Sequence, residues 1–262
     1  MNLSRKSGVL LHPTSFPGPD GIGDLGPECY RWIDFLSESG CSLWQILPLG
    51  PTGFGDSPYQ CFSAFAGNPL LVSPTFLMEK NLLTRDDFLD RPDLPAEYVD
   101  FGPAIEWKRT LLDRAYLKFR KSRSAKLKDG YLSFKEAEKN WLPDYSLFMA
   151  IKEKLGGGSW DSWPVELRRR DPEALSGFCD KHSTDVEKHS FKQFLFFDQW
   201  SNVRSYANQK GIEIIGDIPI FVAYDSADAW SNPELFYLDK KSKPTVVAGV
   251  PPDYFSPTGQ LW

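Results

Sequence analysis

The sequence predicts an α/β protein on a parallel sheet, and three observations carry that expectation. Residues 8–12 (GVLLH) form a short apolar run of the kind buried on both faces of a sheet. A helical pattern and a second apolar run follow by residue 47, and strand, helix and strand in so short a length make a βαβ unit. The alternation returns at residues 190–220, where an amphipathic stretch leads into IEIIGDIPI.

Taken in order, Pro13 ends the first strand and a proline- and glycine-rich loop follows (PTSFPGPDGIGDLG). A helix is predicted to begin at Pro27, since proline is favoured at the first helical position. Cys29, Trp32, Ile33 and Leu36 recur at i, i+3, i+4 and i+7 and give it one apolar face; Gly40 is its natural stop. Residues 43–69 begin as the second strand and pass into a loop stiffened by proline. That loop region carries Trp44, Phe54, Tyr59, Phe62 and Phe65. A loop that only turns a corner is short and polar, whereas long ordered loops at strand ends are where sites are built.

Residues 76–130 are more highly charged, with a helical stripe of Leu111, Leu112, Ala115, Tyr116 and Phe119. The basic run at 118–128 reads as a solvated helix face. Residues 141–155 look helical, and the triple glycine at 156–158 breaks them. Phe196, Trp200, Val203 and Ala207 mark a further helix, ended by Gly211 before a strand at 212–220. The expected division is residues 1–75 for the first strands, 76–186 for a mainly helical insertion, and 187–262 for the resumed α/β pattern.

With 262 residues, 41% of them hydrophobic and 15% aromatic, the chain can bury a sizeable core and is not disordered. A net charge of −5 disfavours nucleic acid or an anionic membrane as partner. Cys29, Cys41, Cys61 and Cys179 show no C-x-x-C spacing, so free thiols of a reducing cytoplasm are expected. The apolar run near the N-terminus is too short for a signal peptide, and nothing approaches transmembrane length. His12, His182 and His189 lack metal-ligand spacing, so no metal is expected; His182 and His189 are expected to face solvent.

Two motifs bear on chemistry. Residues 21–26 (GIGDLG) match G-x-G-x-x-G, but the dinucleotide fingerprint needs its glycines immediately after the strand. Here a proline-rich stretch intervenes, and Pro48 sits where the acidic residue at the end of the second strand belongs. Asp217 is more specific, because a carboxylate at the C-terminal end of a strand lies where α/β barrels keep their sites. A cap or salt-bridge partner is the alternative. His12, also at a strand end, is either a satisfied structural histidine or a substrate contact. Asp56 and Asp253 sit in Gly/Pro-rich loops and read equally well as turn residues.

Four stretches together resemble the 4-alpha-glucanotransferases called amylomaltases or disproportionating enzymes, family seventy-seven of the glycoside hydrolases. They are LLHPTSFPGPDGIGDLG, LPLGPTGFGDSPYQCFSAFAGNP, IIGDIPIFVAYDSADAW and VVAGVPPDYFSPTGQLW, in order along the whole chain. The resemblance implies a (β/α)8 TIM barrel with inserted subdomains, of which this chain holds the first part. It implies transfer of α-1,4-glucan segments between maltooligosaccharides or starch and glycogen chains. The chemistry would be retaining, with a nucleophilic carboxylate and an acid/base carboxyl about 5 Å apart, and would need no cofactor. Ser57 and Tyr59 match substrate contacts, Tyr59 by stacking on a sugar. Asp217 matches a supporting carboxylate. Asp253, Tyr254, Gln260 and Trp262 match a loop that closes over glucan. In the family the nucleophile and the acid/base follow this last motif, so neither is expected among these residues, and the 262-residue polypeptide alone is expected to be inactive. Phe54 stands where some members carry a tyrosine at an accessory glucan contact. The alternative is a non-catalytic glucan-binding fragment or scaffold. Oligomeric state is left open.

Overall fold

The computed structural model describes residues 5–219 and 221–261. Strands β1 (Gly8–Leu10), β2 (Leu43–Gln45) and β3 (Glu213–Ile215) form one parallel sheet in the order β1-β2-β3. Val9, Trp44 and Ile214 lie side by side in its register. Strands adjacent in sequence order, with a helix returning between them, make the βαβ expectation correct.

The expectation of strands buried on both faces is not met. Val9 and Leu10 are 38% and 51% exposed, and Ile215 is 43% exposed. The cause is position: β1 and β3 each have one neighbour in this sheet, and even in the central strand only Trp44 is buried. There Trp44 is fully buried and its indole N–H donates to the Leu11 carbonyl at 2.8 Å. The strands are also shorter than the apolar runs; the last residues of each run leave the sheet as loop.

Helix α1 (Pro27–Glu38) starts on its proline and buries Cys29, Ile33 and Leu36. Gly40 follows it at φ +73, a left-handed backbone that needs glycine. After α2 (Pro74–Glu79), the stripe predicted from Leu111 to Phe119 forms the buried face of α3 (Phe101–Lys121). The basic run at 118–128 is not one solvated face, because α3 stops at Lys121 and α4 (Ala125–Ala137) begins anew. Lys118 pairs with Asp87, and the Lys128 ammonium lies 4.1 Å from the centre of the Phe119 ring.

Helix α5 (Leu142–Lys154) occupies the predicted place, followed by the short α6 (Val165–Arg168). Helix α7 runs from Pro172 to Gln209, so position 186 falls inside it; its backbone departs from helical only at His182 (φ −122). Its first half carries a sparser stripe of Leu175, Phe178, Cys179 and Val186, only partly buried against an apolar cluster, which the sequence expectation did not join to the stretch after His189. Helix α8 (Ala227–Ser231) follows β3, and β4 (Gly249–Val250) pairs antiparallel with β5 (Gln260–Leu261). One apolar cluster lies under the sheet between α1, α3 and α7; a second gathers Phe148, Trp160, Trp163 and Trp230. Among the described residues no helix is long and apolar enough to cross a membrane.

His189 does not face solvent. It is 8% exposed on α7, with Nε2 3.0 Å from Glu153 Oε2 on α5. Lys188, Lys192, Asp113 and Asp185 surround the pair. Burial first, and then these lysines, hold His189 below its ordinary 6.5, against the pull of Glu153. The bond from His189 in turn holds Glu153 down at about 2. In both cases the unfolded chain takes up the proton at higher pH, so acid favours unfolding. Stability is expected to fall as pH drops below 6.5, and again below 4.5 as the unfolded glutamate protonates. Urea midpoints from pH 7 to 4 should show this decline, and His189→Gln should flatten its upper part. An unchanged slope in that variant would assign the effect to other groups.

Candidate functional site

Beyond β2 the chain folds back on itself as a small hairpin. Gly53 N–H donates to the Gln60 carbonyl at 2.8 Å and Phe62 N–H to the Pro51 carbonyl at 2.9 Å. The tip of this hairpin holds Ser57 and Tyr59. Ser57 Oγ accepts the Tyr59 N–H at 3.3 Å, a local turn that sets the tyrosine's direction. The Tyr59 hydroxyl then donates to Asp217 Oδ2 at 2.8 Å, and Asp217 Oδ1 accepts the N–H of Ile218. The carboxylate raises the phenol above its ordinary value, so the hydroxyl stays protonated at neutral pH. Two motifs 158 residues apart in sequence thus meet above the C-terminal ends of β2 and β3. Tyr59 remains 44% exposed, its ring open to a ligand.

The far end of the loop is held differently. Ala64 N–H donates to Asp228 Oδ2, the N–H groups of Phe65 and Ala66 donate to Ser63 Oγ, and Gly67 N–H donates to Gln193 Oε1. Gln193 on α7 also donates through Nε2 to the Gly67 carbonyl at 2.9 Å. Gly67 is required by contact rather than by φ: a Cβ there would lie 1.9 Å from Phe196 Cδ1. Between this loop, α7 and the segment after β3 lies a cleft of about 230 Å³. Phe65, Phe197 and Trp200 line one part of it and Asp217 and Ile218 another. Truncating Gln193 orphans both Gly67 backbone groups in a fully buried setting. Gln193→Ala is therefore expected to cost about 2–4 kcal/mol, read from urea denaturation; a loss under 1 kcal/mol would dismiss the clamp.

The other expected site residues are placed as follows. His12 is held by the protein through both ring nitrogens. Burial lowers its pKa, and the neutral ring accepts from Thr14 at Nδ1 and donates from Nε2 to the Pro48 carbonyl at 3.3 Å. Asp253 Oδ1 accepts the N–H groups of Phe255 and Ser256, which makes it the organiser of a turn. Tyr254 is 94% exposed and meets Phe255 edge to face, while Gln260 pairs with Val250 across β4 and β5. Trp262 lies outside the described residues. Gln193 and Asp228, which fix the loop, were not singled out from sequence. Asp228 stood within the DSADAW stretch, but nothing in the pattern of α7 separates Gln193 from its neighbours.

The GIGDLG loop has a structural occupation. Asp24 Oδ1 accepts the Gly26 N–H at 2.9 Å, and Asp24 Oδ2 receives the buried Lys108 ammonium at 2.8 Å. Gly23 packs where a Cβ would lie 2.2 Å from the Pro13 carbonyl oxygen. Gly26 is likewise fixed by packing, with a Cβ there 2.4 Å from Ser73 Oγ.

Aromatic rings and a carboxylate over the C-terminal strand ends of a parallel α/β scaffold stand where α/β barrels carry their sites. Residues 11–262 match the 4-alpha-glucanotransferase family, glycoside hydrolase family 77, and the chain belongs to that family. It is 49% identical over 262 residues to the 4-alpha-glucanotransferase of Thermus thermophilus, covering 100% of this chain and 52% of that one. It is 43% identical over 267 residues to the chloroplastic/amyloplastic 4-alpha-glucanotransferase of Solanum tuberosum, covering 46% of it. The amylomaltase of Streptococcus agalactiae, solved in complex with acarbose, superposes with a TM-score of 0.93 at 43% identity. That match covers 99% of this chain and 52% of the other. The chain spans about half the length of the curated relatives it matches.

Proposed function

We propose that these residues are the glucan-binding part of a cytoplasmic 4-alpha-glucanotransferase that moves α-1,4-glucan segments between maltooligosaccharides, starch or glycogen chains. The observation that carries this is the Tyr59–Asp217 bond, which joins a ring open to ligand with a carboxylate at the strand ends. In this reading the three parallel strands are the first of a (β/α)8 barrel, and residues 76–186 are its inserted helical subdomain. The Tyr59 ring packs on the C–H face of a sugar, Ser57 borders it, and Asp217 keeps the phenol oriented. The loop bearing Asp253, Tyr254, Gln260 and Trp262 closes over bound glucan and excludes water, which favours a sugar hydroxyl as acceptor.

Bond breaking follows the retaining pattern. A carboxylate displaces the leaving chain and forms a glycosyl-enzyme, and a second carboxyl protonates that chain and later deprotonates the incoming 4-hydroxyl. Those two groups belong to the half of the family's length that these residues do not span. Titration calorimetry of the 262-residue protein with maltoheptaose tests the reading. Saturable binding is expected, and no heat at millimolar sugar would overturn it. The same polypeptide is expected to release no glucose from maltotriose, and turnover at ordinary enzyme rates, about 1 per second or faster, would refute that.

A further inference from the structure

We infer that Phe65, backed by Trp141, is a second glucan-contacting platform, which recognises glucosyl units remote from Tyr59 and so favours long α-1,4-glucans over short ones. The inference rests on the glucan reading of the Tyr59–Asp217 site. Phe65 is 61% exposed among the described residues. Its ring lies nearly parallel to Trp141, at 19° and 6.5 Å between centroids. Four successive N–H groups, those of residues 64–67, all end on side-chain acceptors. The ring is therefore presented on a fixed backbone, and a ligand that packs on it meets a preorganised surface.

Two neighbouring spaces share this ring. On one side is the cleft that reaches Asp217, with Phe197 and Trp200 continuing the aromatic wall. On the other is a polar recess of about 60 Å³ bordered by Asn140, Asp144, Asp228 and Asn232. Its amide and carboxylate lining suits hydroxyl groups at the edge of a sugar ring. Saccharides offer apolar C–H faces and vicinal hydroxyls. An exposed ring backed by a half-buried one, beside planar amides and carboxylates, complements both. The carboxylates in the recess oppose an anionic ligand, and the recess itself opposes an apolar peptide. The occupant that satisfies ring, recess and the continuity with Asp217 is a glucan long enough to span from Tyr59 to Phe65.

Calorimetric titration of the unmodified protein, Phe65→Ala, Asn140→Ala and Tyr59→Ala with maltotriose and maltoheptaose tests this. The unmodified protein is expected to prefer maltoheptaose. Phe65→Ala should lower that preference, the ratio of the two affinities, by about five- to tenfold, and Asn140→Ala by about threefold. Both residues are exposed, and calorimetric melting verifies that both variants fold. Tyr59→Ala should weaken both sugars. A ratio unchanged in Phe65→Ala overturns the platform while leaving the Tyr59 site standing. Absence of binding of either sugar to the unmodified protein overturns the glucan reading and the platform with it.

Discussion

Lys108→Met is expected to destabilise the protein by about 3 kcal/mol or more, the cost of leaving one member of a buried ion pair alone. Lys108 is 1% exposed in the middle of α3, and its ammonium bridges Asp24 Oδ2 and the Val72 carbonyl, each at 2.8 Å. The bridge ties the loop after β1 to the segment after the site loop, with α3 between them. Methionine fills most of the volume, so the loss is electrostatic: a carboxylate 17% exposed keeps its charge without a partner, and a buried carbonyl loses its donor. For a chain of this size such a loss lowers the melting temperature by about 6–12 °C. The double variant Lys108→Met, Asp24→Asn should recover part of it, since removing both charges is far cheaper than removing one. Calorimetric melting of the two variants decides; a double variant as unstable as the sum of the singles would mean that packing, not charge, is what Lys108 supplies.

This pair also shows what the residues disclosed and what they hid. The placement of GIGDLG away from its strand argued against a dinucleotide, because that chemistry depends on local spacing. What Asp24 does instead depends on Lys108, 84 positions away, and no local pattern reports that. Helix α1 was legible because proline, an apolar stripe and a left-handed glycine agree over a dozen residues. The strand edges were not: GVLLH is apolar enough for a two-sided burial that β1, with a single neighbour, does not receive. His189 was misplaced for a related reason. On α7 it falls at the start of the buried stretch, and the glutamate that accepts it sits on another helix. At the site, Asp217 was singled out by its place at a strand end and Tyr59 by the family resemblance, while the bond between them is a product of the sheet order.

Tyr59→Ala is expected to weaken maltoheptaose binding by about tenfold or more, since it deletes both a stacking face and the group that Asp217 orients. The fold should be undisturbed, because the side chain is 44% exposed and its one hydrogen bond is to an exposed partner. Two further variants separate ring from hydroxyl. Tyr59→Phe keeps the face and loses the bond to Asp217, so its affinity should fall by only about two- to fivefold. Asp217→Asn leaves an acceptor oxygen for the phenol but removes the charge. If orientation is what Asp217 supplies, this variant should follow Tyr59→Phe. If the carboxylate contacts sugar hydroxyls itself, it should lose more than Tyr59→Phe does, and the two losses should add in the double variant. In a polypeptide that also carries the remaining half of the family's length, Tyr59→Ala should reduce glucan transfer by orders of magnitude, because a misplaced sugar loses the alignment that the displacement needs. Normal transfer kinetics there would remove Tyr59 from the site.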